Sequence, residues 1–337
     1  MAPLAPRTGG EERLERASLA LAAAATLVFC VVLWLRGIGF AWRHSMSVCG
    51  PILMLVLFSL VYRTVRRDLL VARITFALAV QIWTACIVGG ICLAALGWQL
   101  PFVDHILAGA DHALGLDVSS FTTAVAQVPL LAKACGVAYV VSSVTVFGAV
   151  ICLTLLKRSD RIAELGFIFV TTILSCSVVG IFFPAVGAFT YLNLPATVRH
   201  LLPEGSGIYY MAGLQLYRSG AETTIDFTRL VGVITFPSFH TCMALMVAYA
   251  FRAIPKIFWP MVAFNLLVGI SIIIIGGHYV IDIFGGVAVF AMAAAVAAAI
   301  GKDRSSAIAY PDGTAAVAGP HGIAIPMPAA SPPRSVA

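Results

Sequence analysis

Long apolar runs, separated by short polar segments, dominate the pattern of hydrophobic and polar positions along the chain. Several of these runs approach the roughly 20 residues that a helix needs to cross a bilayer. They predict spans near 18–37, 46–64, 74–97, 131–156, 164–184, 238–254, 257–276 and 279–300. The repeated period-2 alternation of a membrane-spanning β-strand is absent from the sequence. The pattern therefore predicts an all-α, polytopic transmembrane helix bundle with about eight spans.

The composition supports this fold class. The 337 residues are 61% hydrophobic and only 11% charged, with a mean hydropathy of +0.99, whereas a soluble domain carries about 25% charged residues. The eight cysteines lie within or beside apolar runs and show no CxxC spacing, which favours packing over disulfide or metal roles. The polar start "MAPLAPRTGGEERLERAS" shows no cleavable signal peptide, so the first run is predicted to remain as an anchor.

The distribution of positive charge predicts the orientation. The net charge of +6 is spread among the loops, so it does not indicate a nucleic-acid partner. Fifteen of the 21 lysines and arginines fall on the side of the N-terminus, and the other six are Arg36, Arg43, Lys133, Arg199, Arg218 and Arg229. Cytoplasmic loops carry the excess of Lys and Arg. We therefore expect a multi-pass protein with both termini in the cytoplasm.

Two long loops are predicted on the opposite, outer side. The segments at about 98–130 and 185–236 mix apolar and polar residues, which is typical of short amphipathic helices at a membrane surface. The tail after residue 304 is rich in Ala, Pro and Gly and lacks periodicity, so we predict that it is disordered and that its His321 is incidental.

Two motifs in the last third of the chain place ionisable residues between apolar runs. "TFPSFHT" contains His240, and "GGHYVID" contains His278 and Asp282. Ser238 is predicted to cap a helix that runs to a turn at Pro255, and a second helix returns to the second motif. Each leg is about 27 Å long at 1.5 Å per residue, so both histidines should return to the same outer membrane face.

The residue types indicate acid–base or nucleophilic chemistry. Asp282 lies four residues after His278, where its carboxylate can accept a hydrogen bond from one ring nitrogen and leave the other free as a nucleophile. His240 would donate or accept protons. Ser238, the amides at the new helix start and Gly277 could hold an anionic oxygen. Two alternatives stay open here: a metal site with His240, His278 and Asp282 as ligands, and packed, hydrogen-bonded histidines without chemistry.

These motifs resemble the second and third signatures of the type 2 phosphatidic acid phosphatase superfamily, P-S-G-H and S-R-x5-H-x3-D. Here "PSFH" stands for the second, and Ser271, His278 and Asp282 have the spacing of the third. The sequence "FPSFHT…GGHYxxD", with "DHALGLD" and "LYRSG" upstream, is more similar to the branch containing inositol phosphorylceramide synthases and their bacterial relatives. The resemblance implies a leader and two additional helices at 1–73, a catalytic core with six spans at 74–304 and the tail at 305–337.

The resemblance also implies a mechanism. His278 would attack phosphorus to form a phosphohistidine, Asp282 would orient it, and His240 would protonate the leaving oxygen and then activate water or an acceptor hydroxyl. Ser238 would bind a phosphoryl oxygen. The implied partners are a membrane phospholipid or polyprenyl phosphate, with a lipid alcohol as acceptor. The implied site faces the outer side of the membrane, and the mechanism requires no cofactor or metal.

The chain departs from the superfamily pattern in its cations. The first motif, K-x6-R-P, is absent, and Ile272 stands where the third motif has arginine. Such cations offset the charge of a phosphoryl group. A site poor in cations is better matched to a singly charged phosphodiester, which favours headgroup transfer over monoester hydrolysis. Arg218 and Arg229 are the preferred substitutes, ahead of Arg199 and His200; solvent-facing roles remain open for all of them.

Other readings remain at this point. The loop residues Asp104, Asp111 and Asp117, with His105 and His112, could suggest a metal, but the apolar residues between them favour a role in substrate access or folding. The second candidate function is that of a phosphatase of phosphatidic acid or of a polyprenyl pyrophosphate. A proton-coupled transporter and an inactive, lipid-binding relative are the alternatives from other classes. No sequence feature specifies the oligomeric state.

Overall fold

The computed structural model describes residues 9–302, together with two short strands at 317–318 and 324–325. Its helices in chain order are α1 (Gly9–Arg36), α2 (Trp42–Thr64), α3 (Leu69–Leu96), α4 (Asp104–Ala113), α5 (Val118–Ala126), α6 (Pro129–Leu155), α7 (Ser159–Phe182), α8 (Ala188–Tyr191), α9 (Ala196–Arg199), α10 (Met211–Ser219), α11 (Phe239–Ala250), α12 (Pro255–Ile274) and α13 (Val280–Gly301). A 3-10 helix covers Phe227–Arg229.

The predicted all-α membrane bundle is confirmed. In the described part of the chain, seven helices are long and apolar enough to cross a membrane: α1, α2, α3, α6, α7, α12 and α13. The protein is therefore an integral, multi-pass membrane protein. Strands are minor: β1 (Gly39–Phe40) pairs in parallel with β2 (Thr224–Ile225), and β3 (Val317–Ala318) pairs antiparallel with β4 (Ala324–Ile325).

The predicted sixth span differs from a full membrane helix. Helix α11 has only 12 residues, or about 18 Å of rise. It ends at Ala250, where Arg252 donates to the carbonyl of Tyr249 and forms an ion pair with Glu164 on α7. The guanidinium satisfies a terminal carbonyl and stops the helix before Pro255 begins α12. A non-helical stretch at 230–237 precedes α11 and packs between helices, with Ile234 against Gly180 and Phe236 against Gly285.

The first span begins earlier than predicted, because the polar leader is helical from Gly9 onward. Arg73 on α3 pairs with Glu11 and Glu15 on α1, at 2.7 Å in both cases. Arg13 donates to the carbonyl of Ile300 at the end of α13. These contacts neutralise the charged side chains of the leader and extend the apolar helix into it.

The bundle has two ends. We call one the basic face, and the other the dyad face, after the residue pair His278 and Asp282 that lies there. The basic face holds the start of α1, the turn between α2 and α3 with Arg66 and Arg67, and the end of α13. The dyad face holds the start of α13 with Asp282, together with the short helices α4, α5, α8, α9 and α10. The two loops predicted to contain short helices therefore do contain them.

The tail prediction falls almost entirely outside the described residues. Within 305–337 the structure describes only the strand pair β3 and β4, and His321 lies outside the described part. The division into domains at residues 73 and 304 remains a prediction.

Candidate functional site

The centre of the site is a turn between α12 and α13. His278 lies in this turn, before α13 begins at Val280. Asp282, in the first turn of α13, reaches back so that its Oδ2 lies 2.9 Å from Nδ1 of His278. Both residues are buried, His278 with 4% of its surface exposed and Asp282 with none.

The hydrogen bonds of Asp282 determine how His278 is oriented. An ionised carboxylate only accepts hydrogen bonds, so Nδ1 of His278 must donate. The backbone amide of Tyr279 donates to the same Oδ2 at 3.0 Å, which fixes the carboxylate against the turn. The proton on Nδ1 leaves Nε2 of His278 with a free lone pair. The His278–Asp282 pair, hereafter the dyad, thus has the arrangement of an oriented nucleophile or base.

A carboxylate from another helix caps the start of α13. Asp111 on α4 accepts the amides of Val280 and Ile281 at 2.8 and 2.7 Å. The first amides of a helix have no acceptor within it, and a carboxylate there also favours the helix dipole. Asp111 is buried; burial raises the pKa of its carboxyl, and the two amides oppose that rise. The cap is formed by tertiary structure and fixes the helix that carries Asp282.

A second buried carboxylate, Asp104, holds the residue between the dyad partners. Its Oδ1 accepts the hydroxyl of Tyr279 at 2.9 Å and the amide of Gly187 at 3.0 Å. Its Oδ2 accepts the amide of Val186 at 2.9 Å. Burial, and then the nearby carboxylate of Asp104, raise the pKa of Tyr279, so this hydroxyl remains a donor. The segment at 98–130, predicted to serve access or folding, here supports the dyad.

His240 enters the site from the start of α11. Ser238 caps this helix as predicted, with its Oγ accepting the amide of Thr241 at 3.4 Å, and the Phe236–Pro237 peptide before it is cis. Ser238 is completely buried, and its own amide donates to the carbonyl of Asp282 at 3.0 Å. This bond ties the start of α11 directly to α13. The amides of Phe239 and His240 lie in the first turn, where they have no acceptor inside the helix.

Tyr139 on α6 connects the two histidines. Its ring stacks on His240 with a centroid distance of 4.2 Å, and its hydroxyl lies 3.4 Å from Nδ1 of His240. The same ring lies beside Gly276: a Cβ on Gly276 would lie 3.1 Å from Tyr139 and 2.7 Å from His278. The three predicted residues His240, His278 and Asp282 are therefore brought to one place. Sequence reasoning missed Tyr139 because nothing in its apolar context marks it.

Two glycines allow the close backbone approach in this region. Gly277 adopts a left-handed conformation with φ of +73°, and a Cβ there would meet the backbone of Gly207 at 2.8 Å. Its amide donates to the carbonyl of Ile273 and its carbonyl accepts the amide of Ala188, so its main role here is the turn. Gly286 lets α13 approach α11, since a Cβ would lie 2.5 Å from the carbonyl of Ser238. Close packing of α13 on α11 thus depends on glycine at this position.

The two preferred arginines are positioned differently. Arg218 donates to the carbonyl of Leu100 at 2.8 Å and its guanidinium lies 4.0 Å above the ring of Phe102. Arg229 is 76% exposed and lies 3.9 Å from Asp226. Within the described residues, no hydrogen bond or ion pair joins either arginine to the dyad or to His240. Arg199 and His200 are exposed. Phosphate binding by Ser238, Gly277, Arg218 and Arg229 therefore stays a prediction.

Among the described residues, the two histidines of α4 do not join a metal site. His105 and His112 are exposed, whereas Asp104 and Asp111 on the same helix point inward. In the described part of the chain, no group of three His, Cys, Asp or Glu side chains is placed to hold a metal ion.

The comparison with protein families gives a match over more than half of the chain. The model of the PAP2 superfamily matches residues 105–296, which is 192 of the 337 residues and includes both histidines and the dyad aspartate. The chain belongs to the PAP2 superfamily. This PAP2 chain has α1, α2 and α3 before the matched region. The predicted superfamily, a group of membrane phosphatases, is thus confirmed. Its inositol phosphorylceramide synthase-like branch remains a prediction.

One curated relative shows local similarity to this PAP2 chain. Undecaprenyl-diphosphatase BcrC of Bacillus subtilis (strain 168) is 46% identical over 57 residues, which cover 16% of the chain and 29% of BcrC. The chain therefore spans less than a third of the length of this relative. No solved structure matches the chain significantly.

Proposed function

We propose that this PAP2 protein transfers a phosphoryl-linked headgroup from a membrane phosphodiester lipid to an acceptor hydroxyl, through a phosphohistidine on His278. The observation that carries the proposal is the dyad, with Nδ1 of His278 held 2.9 Å from Asp282, beside His240 at the start of α11. A free Nε2 next to a second, independent imidazole supplies a nucleophile and a proton donor to the same substrate.

In the first step, Nε2 of His278 attacks phosphorus, and the bond from phosphorus to the lipid alkoxide breaks. The leaving oxygen takes a proton from His240, and Asp282 stabilises the positive charge that develops on the ring of His278. The product is a lipid alcohol and a headgroup phosphoryl bound to His278. Stacking of Tyr139 on His240 holds the second imidazole in its orientation during this step.

In the second step, His240 removes a proton from an acceptor hydroxyl, and the acceptor oxygen attacks the phosphohistidine. The phosphorus–nitrogen bond breaks and His278 is restored. A lipid alcohol as acceptor gives a new phosphodiester lipid, whereas water gives hydrolysis. The dyad and His240 have the same roles in both reactions. Whether the protein is a transferase or a hydrolase therefore depends on which acceptor enters the site.

The low positive charge around the dyad supports a phosphodiester as the substrate. The described residues place no lysine or arginine in contact with His278, His240 or Asp282, and Ile272 is buried where the superfamily motif has arginine. The first-turn amides of α11 then act as donors for a phosphoryl oxygen. Backbone amides at a helix start offset about half a unit charge, which suits a singly charged diester better than a doubly charged monoester. Arg218 or Arg229 would add charge only if a loop moves when substrate binds.

A second candidate is hydrolysis of a polyprenyl diphosphate. The local similarity to undecaprenyl-diphosphatase BcrC favours it, and the same two-step chemistry with water as acceptor would release inorganic phosphate. Such a substrate carries more negative charge, so it would need cations beyond those that the described residues bring to the dyad. The orientation, with both termini cytoplasmic and the dyad face outward, is part of the proposal and rests on the charge distribution.

The experiment that tests the proposal uses the purified full-length protein in mixed micelles. Phosphatidylinositol, phosphatidylglycerol, phosphatidic acid and a polyprenyl diphosphate are supplied separately, each with and without ceramide as acceptor. Free phosphate and new phosphodiester lipid are measured together for the native protein and for His278→Ala. We expect new phosphodiester lipid that requires both the acceptor and His278, with a loss of at least about 1,000-fold in the variant.

Each other outcome has a defined meaning. Free phosphate from phosphatidic acid or the polyprenyl diphosphate alone, abolished by His278→Ala, would replace transfer by hydrolysis while keeping the nucleophile. Unchanged turnover in His278→Ala would remove the proposed nucleophile. No turnover of any substrate by a correctly folded native protein would favour the inactive, lipid-binding relative.

A further inference from the structure

A large cavity opens at the basic face, on the opposite side of the bundle from the dyad. Its volume is about 650 Å³, and residues of α1, α2, α3 and α7 line it. This volume lies within the range of about 300–1,000 Å³ that is typical of small-molecule sites. Because α13 begins at the dyad and ends beside Arg13 of α1, roughly one membrane thickness separates this cavity from the reacting groups.

The cavity is an apolar cleft with one polar side chain deep inside it. Leu60, Phe76 and Val80 are among its apolar walls, and Gln81 on α3 lies deeper. Gln81 is only 1% exposed, and among the described residues neither its Nε2 nor its Oε1 has a hydrogen-bond partner. A buried amide without partners costs free energy. Its position in the wall of a cavity indicates a ligand that carries a hydrogen-bonding group.

The mouth of the cavity has an excess of positive charge. The acidic residues at the mouth already form ion pairs: Glu12 pairs with Arg16, and Glu15 pairs with Arg73. Arg63 also lines the cavity and has no ion pair among the described residues. The neighbouring turn adds Arg66 and Arg67, likewise without ion pairs in the part of the chain that the structure describes. The mouth is therefore complementary to an anionic headgroup.

The spacing of Arg63 and Gln81 matches the polar groups of a phospholipid. The hydroxyl of Ser59 donates to the carbonyl of Ala72, which aligns α2 with α3. Gln81 lies nine residues beyond Ala72, and Arg63 lies four residues beyond Ser59 in the opposite direction, so their backbones are about 20 Å apart along the bundle. Side chains point toward the start of their own helix. Arg63 on α2 therefore reaches deeper and Gln81 on α3 reaches toward the mouth, so that one phospholipid can extend from a phosphate at Arg63 to its ester carbonyls near Gln81.

From these observations, we propose that the cavity between α1, α2, α3 and α7 binds an anionic phospholipid from the leaflet at the basic face. Arg63 receives the phosphate, the amide of Gln81 donates to an ester carbonyl, and one acyl chain lies along Leu60, Phe76 and Val80. The bound lipid fills the gap between the first two helices and the rest of the bundle. This site is separate from the dyad and does not depend on the proposed reaction.

Native mass spectrometry of the full-length protein tests the proposal. The protein is incubated in detergent with phosphatidylglycerol or with phosphatidylcholine of the same acyl chains, and retained lipid is counted. All measurements are made in the His278→Ala background, so that binding is read without turnover. We expect phosphatidylglycerol to bind about tenfold more tightly than phosphatidylcholine, because the quaternary ammonium of choline offsets the phosphate charge that the arginines at the mouth attract.

The variants are Arg63→Gln and Gln81→Leu, with Lys256→Gln as a matched control. Lys256 is an exposed cation near the same face that does not line the cavity. Arg63→Gln should weaken the binding of phosphatidylglycerol about tenfold and reduce the preference for it over phosphatidylcholine. Gln81→Leu should weaken the binding of both lipids. Lys256→Gln should change neither. Gln81→Leu removes a buried amide without partners, so this variant is expected to fold.

Thermal unfolding supplies a second measurement. Phosphatidylglycerol should raise the unfolding temperature of the His278→Ala protein with or without Lys256→Gln, but not when Arg63→Gln and Gln81→Leu are both added to it. Inorganic phosphate should have no such effect, which separates a lipid site from a phosphate site. Equal retention of both lipids, unaffected by both cavity variants, would overturn the proposal. Stabilisation by inorganic phosphate alone would do the same.

Discussion

Oδ2 of Asp282 lies 2.9 Å from Nδ1 of His278 and at the same time accepts the amide of Tyr279. The carboxylate therefore selects the histidine tautomer and anchors the turn that carries it. Asp282→Asn keeps the shape but presents a donor or a weaker acceptor to Nδ1. We expect kcat to fall by about 100- to 10,000-fold with little change in KM, because the wrong tautomer of His278 places the proton on Nε2.

The measurement for Asp282→Asn is steady-state turnover, together with thermal unfolding in the same detergent. A folded variant with kcat within threefold of the native value would show that Asp282 is a structural partner of His278 and not its orienting group. Asp282→Ala, which removes the Tyr279 contact as well, should lower both kcat and the unfolding temperature.

The contact between Tyr139 and His240 gives the second prediction. Tyr139→Phe keeps the stacked ring but removes the hydroxyl that lies 3.4 Å from Nδ1 of His240. Since this hydrogen bond is long, we expect a loss in kcat of only about 2- to 10-fold. Tyr139→Ala also removes the stacking, and its kcat should fall further. Equal activities of the two variants would show that the ring does not orient His240.

Much of this arrangement could be predicted because it is local. Apolar runs of membrane length predict the long helices, the four-residue spacing predicts the dyad, and Pro237 with Ser238 predicts the start of α11. Each of these depends on residues close in sequence, where helix geometry and capping rules apply directly. The last span was predicted to begin at residue 279, within one residue of the observed start of α13 at Val280.

The remaining contacts could not be predicted because they join distant segments. Asp111 caps a helix that begins 169 residues later, and Tyr139 meets a histidine 101 residues away. An Asp between apolar residues on a short helix looks the same whether it faces solvent or another helix. The early end of α11 was likewise missed, since it depends on Arg252 meeting Glu164 of α7.

The cap from Asp111 gives the third prediction. Asp111→Asn can accept only one of the two amides, so the start of α13 should loosen and shift Asp282 away from the substrate. We expect kcat to fall about tenfold while KM changes less than twofold, as a small misplacement acts mainly on the reacting geometry. The control is Asp117→Asn, because Asp117 accepts the amides of Ser119 and Ser120 and caps only its own helix α5.

Asp117→Asn should leave kcat within twofold of the native value. The comparison of kcat with KM for both variants, together with their unfolding temperatures, is the measurement. If the two substitutions lowered kcat equally, the effect of Asp111 would come from general destabilisation of the short helices at the dyad face and not from the position of α13.

The close approach of α13 to α11 gives the last prediction. A Cβ on Gly286 would lie 2.5 Å from the carbonyl of Ser238 and 2.7 Å from Cβ of Thr241, so Gly286→Ala must push the two helices apart. We expect a loss of about 1–3 kcal/mol in unfolding free energy and a fall in kcat, because His240 and the dyad separate. Gly269→Ala on α12 is the control, since a Cβ there meets nothing within 4 Å. Thermal unfolding and turnover of both variants check this, and equal behaviour of the two would show that the helices can separate without consequence.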